Sequence, residues 1–210
     1  MKVAIFSESP ADEAALRVLV DALLGIETEI VYPPVRARGW PSVQEDLPTV
    51  VKAVHYRTEA AALLVVADGN HFPMHLGDGQ AVCEQHGCRL CSLRRSAVQA
   101  NVYLSPMAGR EVVQMAAGLA VPAIEAWYLC GVNPAVSEQA WRAGMESGQY
   151  PYDKKQLKKL VYGTDRPSLA METQKAVEAA HRLVADLTML EAKFPLGFGT
   201  LATAVRSWRR

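Results

Sequence analysis

No sign of charge dominates this chain. Its 210 residues carry 22 Lys and Arg against 22 Asp and Glu, a formal net charge of zero. That excludes an overall electrostatic grip on nucleic acid and leaves only local basic patches. Long apolar runs are absent as well. None approaches the roughly 18 residues of a membrane span. Glu8, Asp12 and Glu13 interrupt the N-terminus before any signal-peptide core can form. Internal repeats and low-complexity tracts are missing, which excludes solenoid and linker architectures. Cysteine is sparse, at Cys83, Cys88, Cys91 and Cys130. The expectation is a soluble cytoplasmic protein with reduced thiols. Half the residues are apolar, ample for the core of one domain with a sizeable extension.

Two short apolar runs end in acids. Lys2-Val-Ala-Ile-Phe-Ser7 leads to Glu8, and Ala61-Ala-Leu-Leu-Val-Val-Ala67 leads to Asp68. Both are too short for typical helices and read as buried parallel strands. Ligands of open α/β sheets bind beyond the carboxyl ends of strands. Glu8 and Asp68 are therefore candidates for one crevice holding a divalent cation. The alternative is a turn-forming Asp68 and a solvated Glu8. After Glu8, Ser9 suits a helix cap, Pro10 the first helical position and Asp12 the positive helix end. Ala14, Ala15, Val18, Leu19 and Leu23 form an apolar face, and Gly25 closes the helix. Free amides of that helix start lie beside Glu8, so a metal there could share the turn with a phosphate.

Ile26 to Tyr32 alternates and predicts a second strand nearer an edge. Val35 to Pro48 reads as an irregular loop whose Arg36 and Arg38 are solvated or meet an anion. A helix follows from Leu47 to Ala60. Beyond Asp68, a turn-rich loop carries Asn70, His71, His75 and Asp78. Asn70 forms a D-x-N pair with Asp68 and can offer an amide oxygen to Mg²⁺. His71 and His75 are candidate transition-metal ligands. Cys83, Cys88 and Cys91, with His86 among them, place four soft ligands within nine residues, the number that zinc takes. Small buried thiols packed on a helix are the alternative.

Glu111 to Val121 predicts a fourth strand, ending near Gly118. Pro122 opens a helix over 123–130 that Gly131 closes. Glu125 in its first turn is a third candidate acid for the crevice; complementing the helix dipole would explain it equally well. The remainder reads as helical: 136–145 with Trp141, 152–160, a long helix from Leu169 to Glu191, a break at Phe194-Pro195, and a last helix over 201–208. In 152–160, Lys154 and Lys158 share one face and Lys155 and Lys159 another, a stripe that either meets phosphates or is solvated.

In order along the chain, several segments resemble one family. Val3 to Glu13 is similar to the glutamate-bearing opening of Toprim domains. Leu64-Val-Val-Ala-Asp68-Gly-Asn70 is similar to their D-x-D strand end. Pro122-Ala-Ile-Glu125-Ala-Trp127-Tyr-Leu129 resembles the helix of a bacterial Toprim-like family of unknown function, DUF4276, related to the Toprim domains of OLD-type nucleases. The lysine segment 154–159 and Phe194-Pro195-x-x-Phe198-x-x-Leu201 resemble its C-terminal half. The resemblance implies an α/β fold: a Toprim-like sheet of about four mostly parallel strands flanked by helices over 1–133, with a helical extension, 134–210, packed on it. It implies an acid–base or metal-binding role for Glu8 and a Mg²⁺-holding role for Asp68, the two catalytic candidates; the residues themselves add Asn70, as an auxiliary ligand, and Glu125 to that Mg²⁺ or Mn²⁺ site. The resemblance also implies an ATPase partner in a defence or mobile-element system. Two positions depart from the pattern, Ser9 for a glycine and Asn70 for the second aspartate. Losing a carboxylate weakens a magnesium site.

Three functional expectations follow. One is a Mg²⁺-dependent phosphodiester hydrolase, nuclease-like, with Lys154, Lys155, Lys158 and Lys159 guiding the nucleic-acid backbone. Another is a catalytically weakened module that binds a protein partner. The third is a protein stabilised by zinc at Cys83, Cys88 and Cys91.

Overall fold

Four strands form one all-parallel sheet in the order β2-β1-β3-β4 in the computed structural model, which describes residues 1–33, 39–75, 83, 86–107 and 111–208. β1 (Lys2–Phe6) and β3 (Ala62–Asp68) lie at the centre. β3 is buried along its whole length, as an unbroken apolar run requires when helices cover both faces of a sheet. β1 pairs with β3 from Val3 opposite Ala62 to Phe6 opposite Val65. β4 (Gln114–Ala120) continues beside β3, with Ala120 opposite Asp68. β2 is the three-residue edge Glu29–Val31. The α/β class and parallel sheet expected from the sequence are present.

α1 (Pro10–Leu24) forms as its end signals dictate. Ser9 accepts the Asp12 amide at 3.2 Å, Pro10 occupies the first turn, and Gly25 adopts φ 64° at the C-terminus, a left-handed geometry that costs glycine little. α2 (Trp40–Arg57) connects β2 to β3, and α3 (Arg89–Val102) connects β3 to β4. α2 begins well before the helix start expected at Leu47. Pro41 lies in its first turn, where proline is tolerated. Val43, Leu47, Val50, Val51 and Val54 supply a buried stripe, strong enough to carry the helix through Pro48. Arg36, Arg38 and Asp78 lie outside the described residues.

The chain leaves β1 toward β2 on one side and returns to β3 on the other. Right-handed crossovers then place α1 on one face and α2 and α3 on the opposite face. The carboxyl ends of β1 and β3 consequently flank a topological switch point, where open α/β sheets bind ligands.

After β4 comes a single helical turn, α4 (Glu125–Tyr128), followed by α5 (Glu138–Ser147), α6 (Lys154–Tyr162), α7 (Leu169–Val184), α8 (Leu187–Lys193), a π-helical turn (Pro195–Gly199) and α9 (Thr200–Arg206). The long helix expected over 169–191 is broken into α7 and α8. Asp186 leaves helical geometry and accepts the Met189 amide at 2.9 Å, starting α8 anew. α7 packs along α1, while α9 and the π-helical turn pack on β4. One apolar cluster runs through strands and C-terminal helices alike, from Val3 to Trp208. Gly118 and Gly197 permit this contact: a Cβ on Gly197 would collide with the Leu119 carbonyl and come within 2.8 Å of Glu138 Oε1. Among the described residues, no helix is long and apolar enough to cross a membrane.

Candidate active site and metal centre

The switch point is lined with acids. Glu8 lies in the β1–α1 turn, and its Oε1 accepts the Asp68 backbone N–H at 2.9 Å. Asp68 closes β3, and its Oδ1 accepts the Ile124 N–H at 3.0 Å. That bond ties the strand end to the turn opening α4, where Glu125 is buried. Gly69 lets the two strand ends meet: its amide donates to the Ala120 carbonyl at 2.6 Å, and a Cβ there would come within 2.7 Å of Val121. Glu8, Asp12, Asp68, Glu125 and Glu172 line a cleft of about 180 Å³ together with Lys154, Lys158 and Tyr162.

Lys154 pairs with Asp68 Oδ2. Lys158 bridges Glu172 at 2.9 Å and Glu125 at 3.6 Å. Tyr128 directs its hydroxyl at Asp12 Oδ1, 3.4 Å away. Arg89, opening α3, donates to the Asp68 carbonyl at 2.7 Å, with its guanidinium 3.7 Å from the Phe72 ring centre and 4.6 Å from that of Trp40. Glu125 Oε2 is buried without a hydrogen-bond partner.

Five carboxylates thus face three cations, a formal surplus of two negative charges when all are ionised. Burial, then the neighbouring Asp68 carboxylate, pushes the Glu125 carboxyl up to about 7. Burial and Asp68 also raise Glu8, and with Glu125 they hold Asp12 well above the usual carboxylate range. For Lys154, burial opposes the charge; Asp68, Glu125 and Glu8 more than offset it and raise its pKa.

Of the residues singled out in the sequence, Glu8, Asp68, Glu125, Lys154 and Lys158 meet in this cleft. Asn70 is not among the residues lining it. Asn70 sits at φ 50° and donates its backbone N–H to the Pro122 carbonyl at 2.7 Å; asparagine tolerates that left-handed geometry better than most residues. Lys155 and Lys159 point to solvent on the outer side of α6. Asp12, Glu172, Tyr128, Tyr162 and Arg89 were not anticipated as site residues. Asp12 lies one turn beyond Glu8 and had a signal in that spacing. Glu172 arrives only because α7 packs on α1 and α6.

A second centre lies behind Arg89. His75, Cys83, Cys88 and Cys91 bring their ligand atoms within 4.8 Å of one another, close enough to hold a metal. His75 Nδ1 is 3.2 Å from Cys91 Sγ and 3.7 Å from Cys88 Sγ, and the Cys83 and Cys91 sulfurs are 3.4 Å apart. The expected fourth member, His86, is exposed and outside the group; His75 takes that place. His71 does not join it and packs against Trp141 and Tyr150. Among the described residues, this is the one group of three or more His, Cys, Asp or Glu gathered closely enough for a metal.

No family model, no curated protein and no solved structure matches the chain, so the chemistry of these two sites carries the functional reading.

Proposed function

We propose that the chain is a Mg²⁺- or Mn²⁺-dependent phosphodiester-cleaving protein, nuclease-like, acting at the cleft of Glu8, Asp68 and Glu125. The supporting observation is the convergence of these carboxylates at the switch point, with Glu125 Oε2 buried and unpartnered. A buried oxygen without a donor is costly, and a hard-oxygen donor set is what Mg²⁺ takes. Glu8, Asp68 and Glu125 would hold the ion after drawing together, since their oxygens are not gathered as closely as the ligand atoms of the thiol–imidazole group. The ion, when bound, supplies Lewis-acid polarisation and an activated water. Lys154 balances Asp68 and would meet a phosphate oxygen once Asp68 is engaged elsewhere. Lys158, steadied by Glu172, adds a second positive charge at the rim. The solvent-facing Lys155 and Lys159 extend that charge outward for further phosphates of a nucleic-acid backbone. The thiol–imidazole centre has the donors of a zinc site and is not the reacting centre in this reading. The Toprim resemblance supports the same activity and adds an ATPase partner in a defence or mobile-element system.

The test is cleavage of single- and double-stranded DNA and RNA by the full chain with Mg²⁺ or Mn²⁺. Activity should require the metal and fall at least about 100-fold in Asp68→Asn and Glu8→Gln. A second reading, a catalytically weakened partner-binding module, is favoured by the lysines already paired with Asp68 and Glu125. Co-purification of a partner with a wild-type chain that neither binds the cations nor cleaves would select it.

A further inference from the structure

We propose that His75, Cys83, Cys88 and Cys91 hold a zinc ion in a closed, structural site that clamps the β3–α3 connection and, through Arg89, fixes the backbone of the acidic cleft.

The donor set is three thiols and one imidazole, the ligand types of structural zinc. Tetrahedral bonds of about 2.3 Å to sulfur and 2.0 Å to nitrogen place ligand atoms roughly 3.5–3.8 Å apart. The distances of 3.2, 3.4 and 3.7 Å already approach that spacing. All four ligand atoms lie within 4.8 Å of one another, so an ion would enter with shifts of at most about 1 Å. His75, Cys88 and Cys91 are buried and Cys83 is half-buried, so four protein ligands fill the coordination sphere and leave no open position for a substrate. Packing of small thiols as apolar groups would not draw a histidine nitrogen in among them. The outer shell fits too. The Cys83 backbone N–H donates to Cys91 Sγ at 3.2 Å, a bond that favours a thiolate. Three thiolates on Zn²⁺ leave one negative charge, and the Arg94 guanidinium lies near enough to act electrostatically on all three sulfurs.

The position of the centre gives it a task. Cys88 immediately precedes α3 and Cys91 lies in its first turn, so Arg89 projects from between two ligands. Arg89 then reaches the Asp68 carbonyl across the Phe72 ring, while His75 anchors the segment that follows β3. The ion would bind both sides of this connection together and hold the guanidinium on the end of β3. The zinc assignment stands apart from the nuclease reading; only an effect on cleavage rests on that reading.

The experiment uses the full chain purified without chelator. Elemental analysis should give about one zinc per chain. Exchange into Co²⁺ should give the intense visible bands of a tetrahedral thiolate site. Zinc content should fall at least about tenfold in Cys88→Ser and His75→Ala and stay at the wild-type level in His86→Ala and Asp68→Ala. Stripping the ion should lower the unfolding midpoint of the wild type, and zinc should restore it. A wild type without zinc that gives no cobalt spectrum overturns the proposal, as does a Cys83–Cys91 disulfide in the purified protein. A zinc content that depends on His86 and not on His75 overturns the ligand assignment. Should Cys88→Ser fail to fold, the wild-type cobalt spectrum decides. Zinc without Mg²⁺-dependent cleavage would leave this proposal standing and defeat the nuclease reading alone.

Discussion

Replacing Lys154 with methionine separates the lysine's two roles. The Lys154 side chain is 40% exposed, while that of its partner Asp68 is only 9% exposed. The pair thus lies between a surface ion pair, worth up to about 1 kcal/mol, and a buried one, whose disruption costs roughly 3–5 kcal/mol. Solvent screening at the exposed end sets a working value of about 1–2 kcal/mol. Methionine keeps much of the apolar stem but frees Asp68 Oδ2, and the formal charge of the cleft becomes one unit more negative. Without metal, Lys154→Met should unfold at lower urea, by about 1–2 kcal/mol. A divalent cation no longer competes with the ammonium, so the same free energy reappears as tighter binding. With about 1.4 kcal/mol per factor of ten, Mg²⁺ affinity should rise roughly 5- to 30-fold. Turnover should nevertheless fall, because the positive charge facing the phosphate is gone. Calorimetric titration, urea unfolding and cleavage on the same samples measure all three. Unchanged or weaker cation binding in Lys154→Met would refute the reasoning, since it would mean that Lys154 and the ion do not share Asp68.

Glu138 gives a pH dependence of stability. Burial outweighs the Leu196 and Gly197 amides that its carboxyl accepts and pushes it up to about 7. A carboxyl raised in the folded state holds a proton that the unfolded chain releases. Its contribution is therefore full below the ordinary value of 4.5 and is lost as pH rises to about 7. The loss should be roughly 1–3 kcal/mol in urea unfolding, and Glu138→Gln should flatten this part of the profile. Glutamine offers one acceptor to two N–H groups, so that variant should also be less stable at pH 4 by about 1–3 kcal/mol; an unchanged slope would count against the assignment. Gly197→Ala should cost at least about 2 kcal/mol, because its methyl meets the Leu119 carbonyl and Glu138 Oε1, whereas Gly199→Ala, with its nearest contact at 3.4 Å, should cost little. Equal stability of the two variants would show that the π-helical turn does not press on β4 as described.

What could be read from the sequence was local. α1 carries a cap, a first-turn proline and a closing glycine at the right spacing, and each acts as expected. The apolar runs of β1 and β3 end in the acids that meet at the switch point, because strand ends in a parallel sheet share one edge. The start of α2 was hidden: Pro33, Pro34, Gly39 and Pro41 punctuate the chain more strongly than the Val43 and Leu47 stripe identifies a helix. The break between α7 and α8 was masked by apolar periodicity that runs through Asp186. His86 looked like the fourth soft ligand because it lies among the cysteines in sequence. The turn at Gly87, with φ 81°, leaves it at the surface, and the segment after β3 brings His75 in its place. Arg89 and Glu172 reach the cleft only through α3 and α7 packing on other elements, which no local pattern encodes.

The most direct test of the acidic cleft is calorimetric titration of Mg²⁺ and Mn²⁺ into zinc-loaded wild type, Asp68→Ala and Asp68→Asn, with cleavage measured on the same samples. The wild type should bind the cation, and both variants should lose that binding together with cleavage. A folded, zinc-loaded wild type that takes up neither cation would contradict the cleft's role as a metal site.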